Sequence, residues 1–201
     1  MLKQQELQIL QNIDKHWVAY RKEEGIQENA CILGSNFAHQ VLKRLNVRHR
    51  VVPIGAVVFN KSGWENFGVP SNHLPDEAWS VACTSQSTDR GGYSGHLVVF
   101  TDNYFYDPTA TQYSRPQHNI LLGGSLIVPL EEMRVHTRDS QQHPMHLLFH
   151  TEEFCTFPIG STLYSYFLEE WNTIYRKSAD WNVSARELGI PNIIEEMRKG
   201  I

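Results

Sequence analysis

Residues 95–109 read GHLVVFTDNYFYDPT, and this stretch decides the fold. His96 to Thr101 is an apolar run rich in β-branched residues, and Tyr104 to Asp107 is a second one. The Asp102-Asn103 pair between them is a turn dipeptide, so the two runs are expected to pair as an antiparallel hairpin. With the turn centred there, His96 and Asp107 fall nearly opposite each other. A carboxylate across from an imidazole can accept its N–H, fix its tautomer and steady the charged ring.

Working outward, the runs VVPIGAVVF (51–59), WSVACTS (79–85) and SLIVPL (125–130) read as further strands, and MHLLFH (145–150) as one more. Asn60 to Pro75 and Ser85 to Gly95 are rich in turn residues and read as long loops; Trp64, Phe67 and Tyr93 within them either line a cleft or tuck the loops down. Upstream, Leu2, Ile9, Leu10, Ile13, Trp17 and Tyr20 recur at helical spacing over residues 2–24, with Gly25 as the stop. A second helix is expected from Ala30 to about Leu45, capped by the side chain of Asn29. Downstream, Leu163, Phe167, Trp171 and Ile174 predict a helix over Ser161–Lys177, and Ser184-Ala185-Arg186-Glu187 is a capping-box pattern opening a short final helix. Helices, then sheet, then helices give α+β: N-terminal helices packed on an antiparallel sheet with C-terminal helices, in one domain over residues 1–201.

Charge and composition exclude several classes. The net charge of -4 and the lack of any basic run give nucleic acid no electrostatic foothold. No segment is apolar and long enough for a membrane span, and the N-terminus lacks the apolar stretch of a signal peptide. Three cysteines, Cys31, Cys83 and Cys155, cannot all pair within one chain and lack zinc-ribbon spacing. A soluble, cytoplasmic protein with free thiols is expected.

Cys31 then gains significance. Free amides and the positive end of the helix dipole favour an anion in a first turn, so a thiolate is stabilised there over a thiol. A helix end alone seldom makes a thiol nucleophilic at neutral pH, so a histidine partner is required. His96, at the start of an apolar strand after a Gly-rich loop, is the best placed.

The run ENACILGS, with its cysteine opening a helix, followed by GHLVVFTDNYFYDPTATQ, resembles the Cys, His and Asp blocks of the papain-like superfamily in its transglutaminase-like branch. In that branch the histidine lies on one strand and the aspartate closes the next, commonly before Pro-Thr, as in Asp107-Pro108-Thr109. The resemblance implies Cys31 as nucleophile, His96 as general base and acid, Asp107 as orienting group, and Gln27 or Asn29 as candidates to assist the oxyanion. It implies a thiol-dependent acyl hydrolase or transferase, without cofactor or metal, acting on a protein, a peptide or a small amide or thioester. Bacterial cell-wall peptidases and arylamine N-acetyltransferases share the Cys, His, acid order, so hydrolysis and acyl transfer to an amine stay open. A non-catalytic binding or inhibitor protein on the same scaffold is the alternative of a different class.

Two other constellations compete. His143, His146 and His150 could offer imidazoles to a metal, but on a strand His146 and His150 would sit roughly 13 Å apart, too far for one ion. Cys83 lies on a proposed strand and is the alternative nucleophile; Cys155 reads as packing.

Overall fold

The chain folds as α+β in a computed structural model that describes residues 1–26, 30–67, 69–83, 95–137, 153–158, 162–167 and 174–200. Helix α1 spans Lys3–Glu24 and ends on Gly25, whose φ of 64° is left-handed, the conformation that a glycine adopts without side-chain strain. Helix α2 spans Cys31–Arg44. The expected cap is corrected here: α2 begins at Cys31, one residue later than predicted, and its N-cap is Ala30, whose side chain makes no capping hydrogen bond. Asn29 and Gln27 lie outside the described residues.

Strands β1 (His49–Phe59), β2 (Ser80–Cys83), β3 (His96–Thr101), β4 (Tyr104–Asp107), β5 (Leu126–Pro129), β6 (Arg134–Thr137), β7 (Glu153–Pro158) and β8 (Thr162–Phe167) form one antiparallel sheet. Its order is β5-β4-β3-β1-β8-β7-β6, with β2 also on β1. The long β1 organises it. Its first half pairs with β3, with His49 opposite Thr101 and Ile54 opposite His96. Its second half pairs with β2, with Ala56 opposite Cys83. The start of β3 and the end of β2 therefore meet end to end along one edge of β1.

The region expected to be helical from Ser161 is corrected. Thr162–Phe167 is strand β8, paired with β1 on one side and β7 on the other, and among the described residues of this span Ile174–Lys177 forms a short 3₁₀ turn. The spacing of Leu163 and Phe167 mimicked a helix, whereas the Thr-Leu-Tyr-Ser-Tyr-Phe composition favours a pleated strand once partners flank it. The capping box also differs: Ser184 and Glu187 do exchange hydrogen bonds, N to Oε2 at 2.8 Å and N to Oγ at 3.3 Å, but they close a turn. The last helix starts after it, at Ile190, and runs to Gly200. The loop after β1 holds a short helix, α3 (Lys61–Glu65), capped by Asn60, and Trp64 and Phe67 stack and pack on Phe59, tucking the loop down. MHLLFH lies outside the described residues.

Two apolar layers cover the sheet. Ile9, Leu10, Ile13 and Trp17 of α1, Phe37, Val41 and Leu42 of α2, and Ile190 and Ile194 bury one face against Val99, Tyr104 and Tyr106. Val52, Ile54, Val98, Phe100, Phe105, Val128 and Phe157 form the other layer. This alternation along β3 and β4 is the period of a strand buried on both faces. Among the described residues no helix is long and apolar enough to cross a membrane.

Candidate active site

Three anchors fix the elements that carry the candidate residues. The Ser35 hydroxyl donates to the carbonyl of Leu97 at 2.9 Å, tying α2 to β3 in the buried interior. The buried carboxylate of Glu6 accepts from the backbone N–H of Asn103 at 3.1 Å and from its side-chain amide at 2.7 Å, so α1 holds the β3–β4 turn. Gly34 lets α2 come close to the segment after β4: a Cβ there would lie 3.0 Å from Trp17 Cζ2, 3.1 Å from Pro108 Cγ and 3.2 Å from Thr109 Cγ2.

The hairpin register matches the expectation. Val99 pairs with Tyr106 and Phe100 with Phe105, which puts Asp107 across from Val98 and diagonal to His96 on the same face. His96 and Asp107 are buried, and the ring Nε2 lies 2.7 Å from Oδ2. An ionised carboxylate only accepts, so Nε2 carries the hydrogen and the neutral ring keeps its lone pair on Nδ1. Asp107 is itself held by the turn that follows it: Oδ1 accepts from the backbone N–H of Thr109 at 2.9 Å and lies 3.3 Å from the Thr109 hydroxyl. This is the physical content of the Asp-Pro-Thr sequence, an Asx-type turn in which both carboxylate oxygens are used.

Cys31 is the first residue of α2 and is buried at 8% exposure. The first intrahelical bond runs from Gly34 N–H to Ala30 O at 2.9 Å, leaving the amides of Cys31, Ile32 and Leu33 without an acceptor inside the helix. The Cys31 side chain lies beside the His96 ring, closely enough to favour its charged form. Burial opposes charge on His96, but the charge of Asp107, its hydrogen bond, and the Cys31 contact outweigh it, holding the imidazole well above its ordinary titration range. The structure thus brings Cys31, His96 and Asp107 together.

Three further residues crowd the ring. Gln112, on the 3₁₀ turn Ala110–Tyr113, places its side-chain amide nitrogen 2.7 Å from His96 Nδ1 and 3.4 Å from Nε2. Sequence reading missed it, although its position five residues after Asp107, one turn beyond Asp-Pro-Thr, was a usable signal. Tyr113 packs edge-on to the imidazole, centroids 5.3 Å apart, and its buried hydroxyl faces the Cys83 sulfur. Cys83 reaches the site because β2 ends beside the start of β3. Burial raises its thiol first, the nearby His96 lowers it less, and its sulfur lies 3.6 Å from the carbonyl of Gly95. That balance keeps Cys83 a thiol and a poor competitor to Cys31 as a nucleophile. Cys155 sits on β7, partly buried against the second core layer.

His143, His146 and His150 lie outside the described residues. Among the described residues no three His, Cys, Asp or Glu side chains gather as a metal site. No protein-family model matches the chain, and no curated protein or solved structure matches it significantly.

Proposed function

We propose that the chain is a thiol-dependent acyl hydrolase or acyl transferase of the papain-like, transglutaminase-like kind, with Cys31 as nucleophile, His96 as base and acid, and Asp107 as the orienting group. One observation carries the reading: a buried imidazole that gives Nε2–H to a carboxylate at 2.7 Å lies beside a cysteine at the first residue of a helix. The α+β order, with a cysteine helix laid on an antiparallel sheet whose adjacent strands carry the histidine and the aspartate, supports the same family.

The chemistry follows from the groups. The Cys31 proton passes to Nδ1, and the thiolate attacks an amide or thioester carbonyl, forming a C–S bond as the C=O π pair moves onto oxygen. Amides of the first turn of α2 are donors available to that oxyanion. Collapse re-forms the carbonyl and expels the leaving group, which takes the proton from His96. Water or an amine, deprotonated by His96, then attacks the acyl-enzyme and restores the thiol. Asp107 holds the ring in one tautomer throughout.

The test is a panel of thiol-directed acyl electrophiles read by intact mass on the wild type, Cys31→Ala, Cys83→Ala and His96→Gln. The expected result is one adduct, lost in Cys31→Ala, kept in Cys83→Ala, and slowed by about 10²-fold or more in His96→Gln, the range for loss of a general base. Labelling at Cys31 at the same rate with and without His96 overturns the enzymatic reading and assigns the scaffold to binding alone.

A further inference from the structure

A cavity of about 280 Å³ lies between the last turns of α1 and the segment after β4. One water needs far less, on the order of 10–15 Å³. Arg21 and Lys22 line the cavity from α1, Pro108 and Thr111 from the segment that follows Asp107, and Gly123 and Gly124 from the loop before β5. A Cβ on either glycine would meet nothing within 4 Å, so that wall is open. Neither Cys31 nor His96 is among the lining residues.

Two polar groups on separate walls call for a ligand. Arg21 Nε and Thr111 Oγ1 are shielded from solvent, and neither has a hydrogen-bond partner among the described residues. A guanidinium is always charged and only donates, so an N–H of this group left dry and unpaired is costly. The group is nevertheless held in place: it lies 5.9 Å from the Trp17 ring centroid, and Trp17 is itself pinned to the Pro108 carbonyl at 2.8 Å. The amides of Gly123 and Gly124 donate to no other described residue. The carboxylate of Asp14, seven residues before Arg21 on α1, is already engaged, since its Oδ1 accepts from the Tyr106 hydroxyl at 3.4 Å and from the Ser125 hydroxyl. The Arg21 carbonyl accepts from the amides of Gly25 and Ile26, which closes the negative end of the helix on itself.

We propose that this cavity is a binding site for a phosphate-type oxyanion, held by the Arg21 guanidinium, the Thr111 hydroxyl and the glycine amides, with the exposed Lys22 at the rim. The donors stand on three separate segments of the chain, and a tetrahedral anion has oxygens enough to accept from all of them, whereas a carboxylate has two. The site goes beyond the acyl-transfer reading and does not depend on it. It does share a segment with the candidate active site: Pro108 follows Asp107, and Thr111 precedes Gln112.

The experiment is calorimetric titration of the full chain with inorganic phosphate, against sodium chloride at matched ionic strength. It is run on the wild type, Arg21→Met, Thr111→Val, Gly124→Asp, Arg48→Gln, Glu28→Gln and Cys31→Ala, each checked for folding by its thermal melt. The wild type is expected to bind phosphate and not chloride. Arg21→Met is expected to lose affinity by about tenfold or more, the scale of a charge-assisted contact, and Thr111→Val by about two- to tenfold, the scale of a neutral hydrogen bond. Gly124→Asp sets a carboxylate on the open wall, where nothing lies within 4 Å of its Cβ, and should abolish binding in a chain that still folds. Arg48→Gln, an exposed arginine outside the cavity walls, is expected to bind as the wild type does. Cys31→Ala should also bind normally, so a failure of the acyl-transfer reading leaves this result standing. An absence of phosphate binding, or binding indifferent to both Arg21→Met and Gly124→Asp, overturns the proposal. Binding that appears in Glu28→Gln alone overturns it too, because a carboxylate of the chain is then the occupant.

Discussion

The indole N–H of Trp17 donates to the carbonyl of Pro108 at 2.8 Å, a buried bond between the first helix and the residue next to Asp107. Pro108 has no N–H, so this carbonyl is its one polar backbone group, and Trp17 satisfies it. Trp17→Phe keeps a ring in the core and removes the donor. The expected cost is about 1–3 kcal/mol, the scale for a buried acceptor left unpaired, seen as a lower urea midpoint. Labelling at Cys31 should slow as well, since the turn that holds Asp107 loosens. A stability change inside about 0.5 kcal/mol, the range of neutral surface changes, would contradict this.

Gly34→Ala tests the same contact from the other side. Alanine gains roughly 1 kcal/mol of helix propensity, but its methyl would press on Trp17, Pro108 and Thr109 at 3.0–3.2 Å. Overpacking of this kind costs about 1–3 kcal/mol, so the net loss is about 0–2 kcal/mol. The larger effect is expected on chemistry, because relief comes by moving α2 and its Cys31 away from the Asp107 turn. Calorimetric melting together with the rate of iodoacetamide labelling separates the two. A labelling rate equal to the wild type would mean that α2 does not move.

Much of this site is legible in the sequence. The His96–Asp107 diagonal follows from period-two alternation and one turn dipeptide, and the position of Cys31 from where an apolar helix begins. The misses have a common cause. Thr162–Phe167 reads as helix by spacing alone and becomes a strand because β1 and β7 offer it hydrogen bonds from both sides, a tertiary term that no local pattern carries. The nearness of Cys83 to His96 depends on β2 and β3 sharing one edge of β1 end to end, which only the pairing reveals.

Stability should peak near pH 6.5, because two histidines pull in opposite directions. His39 is lowered to about 4 by burial and then by neighbouring positive charge, so between about pH 6.5 and 4 the unfolded chain binds a proton that the native state refuses. Stability therefore rises with pH across that window and is lost as pH falls through it. His96 is raised, chiefly by Asp107 acting against burial. Its contribution is complete below the ordinary histidine value of about 6.5 and is lost as pH rises through the folded-state value. Urea midpoints measured across this range should flatten on the acid side in His39→Gln and on the alkaline side in His96→Gln. Acid and alkaline limbs unchanged in both variants would show that other groups set the profile.

Gln112 rests its amide nitrogen 2.7 Å from His96 Nδ1, where it can tune the base. In the neutral ring Nε2–H is committed to Asp107 and Nδ1 is the acceptor, so a donor resting there opposes the charged form that Asp107 favours. A charged ring carries hydrogens on both nitrogens and would face that amide N–H head-on, so the side chain has to turn its carbonyl oxygen inward as the proton arrives. Gln112→Leu removes the donor without adding charge. The His96 titration, followed by its ring proton signal, should then move further upward, and Gln112→Glu should move it upward more by adding an opposite charge. A residue that only packs would leave that titration where it is, while a downward shift in Gln112→Leu would mean that the oxygen, not the nitrogen, faces the ring.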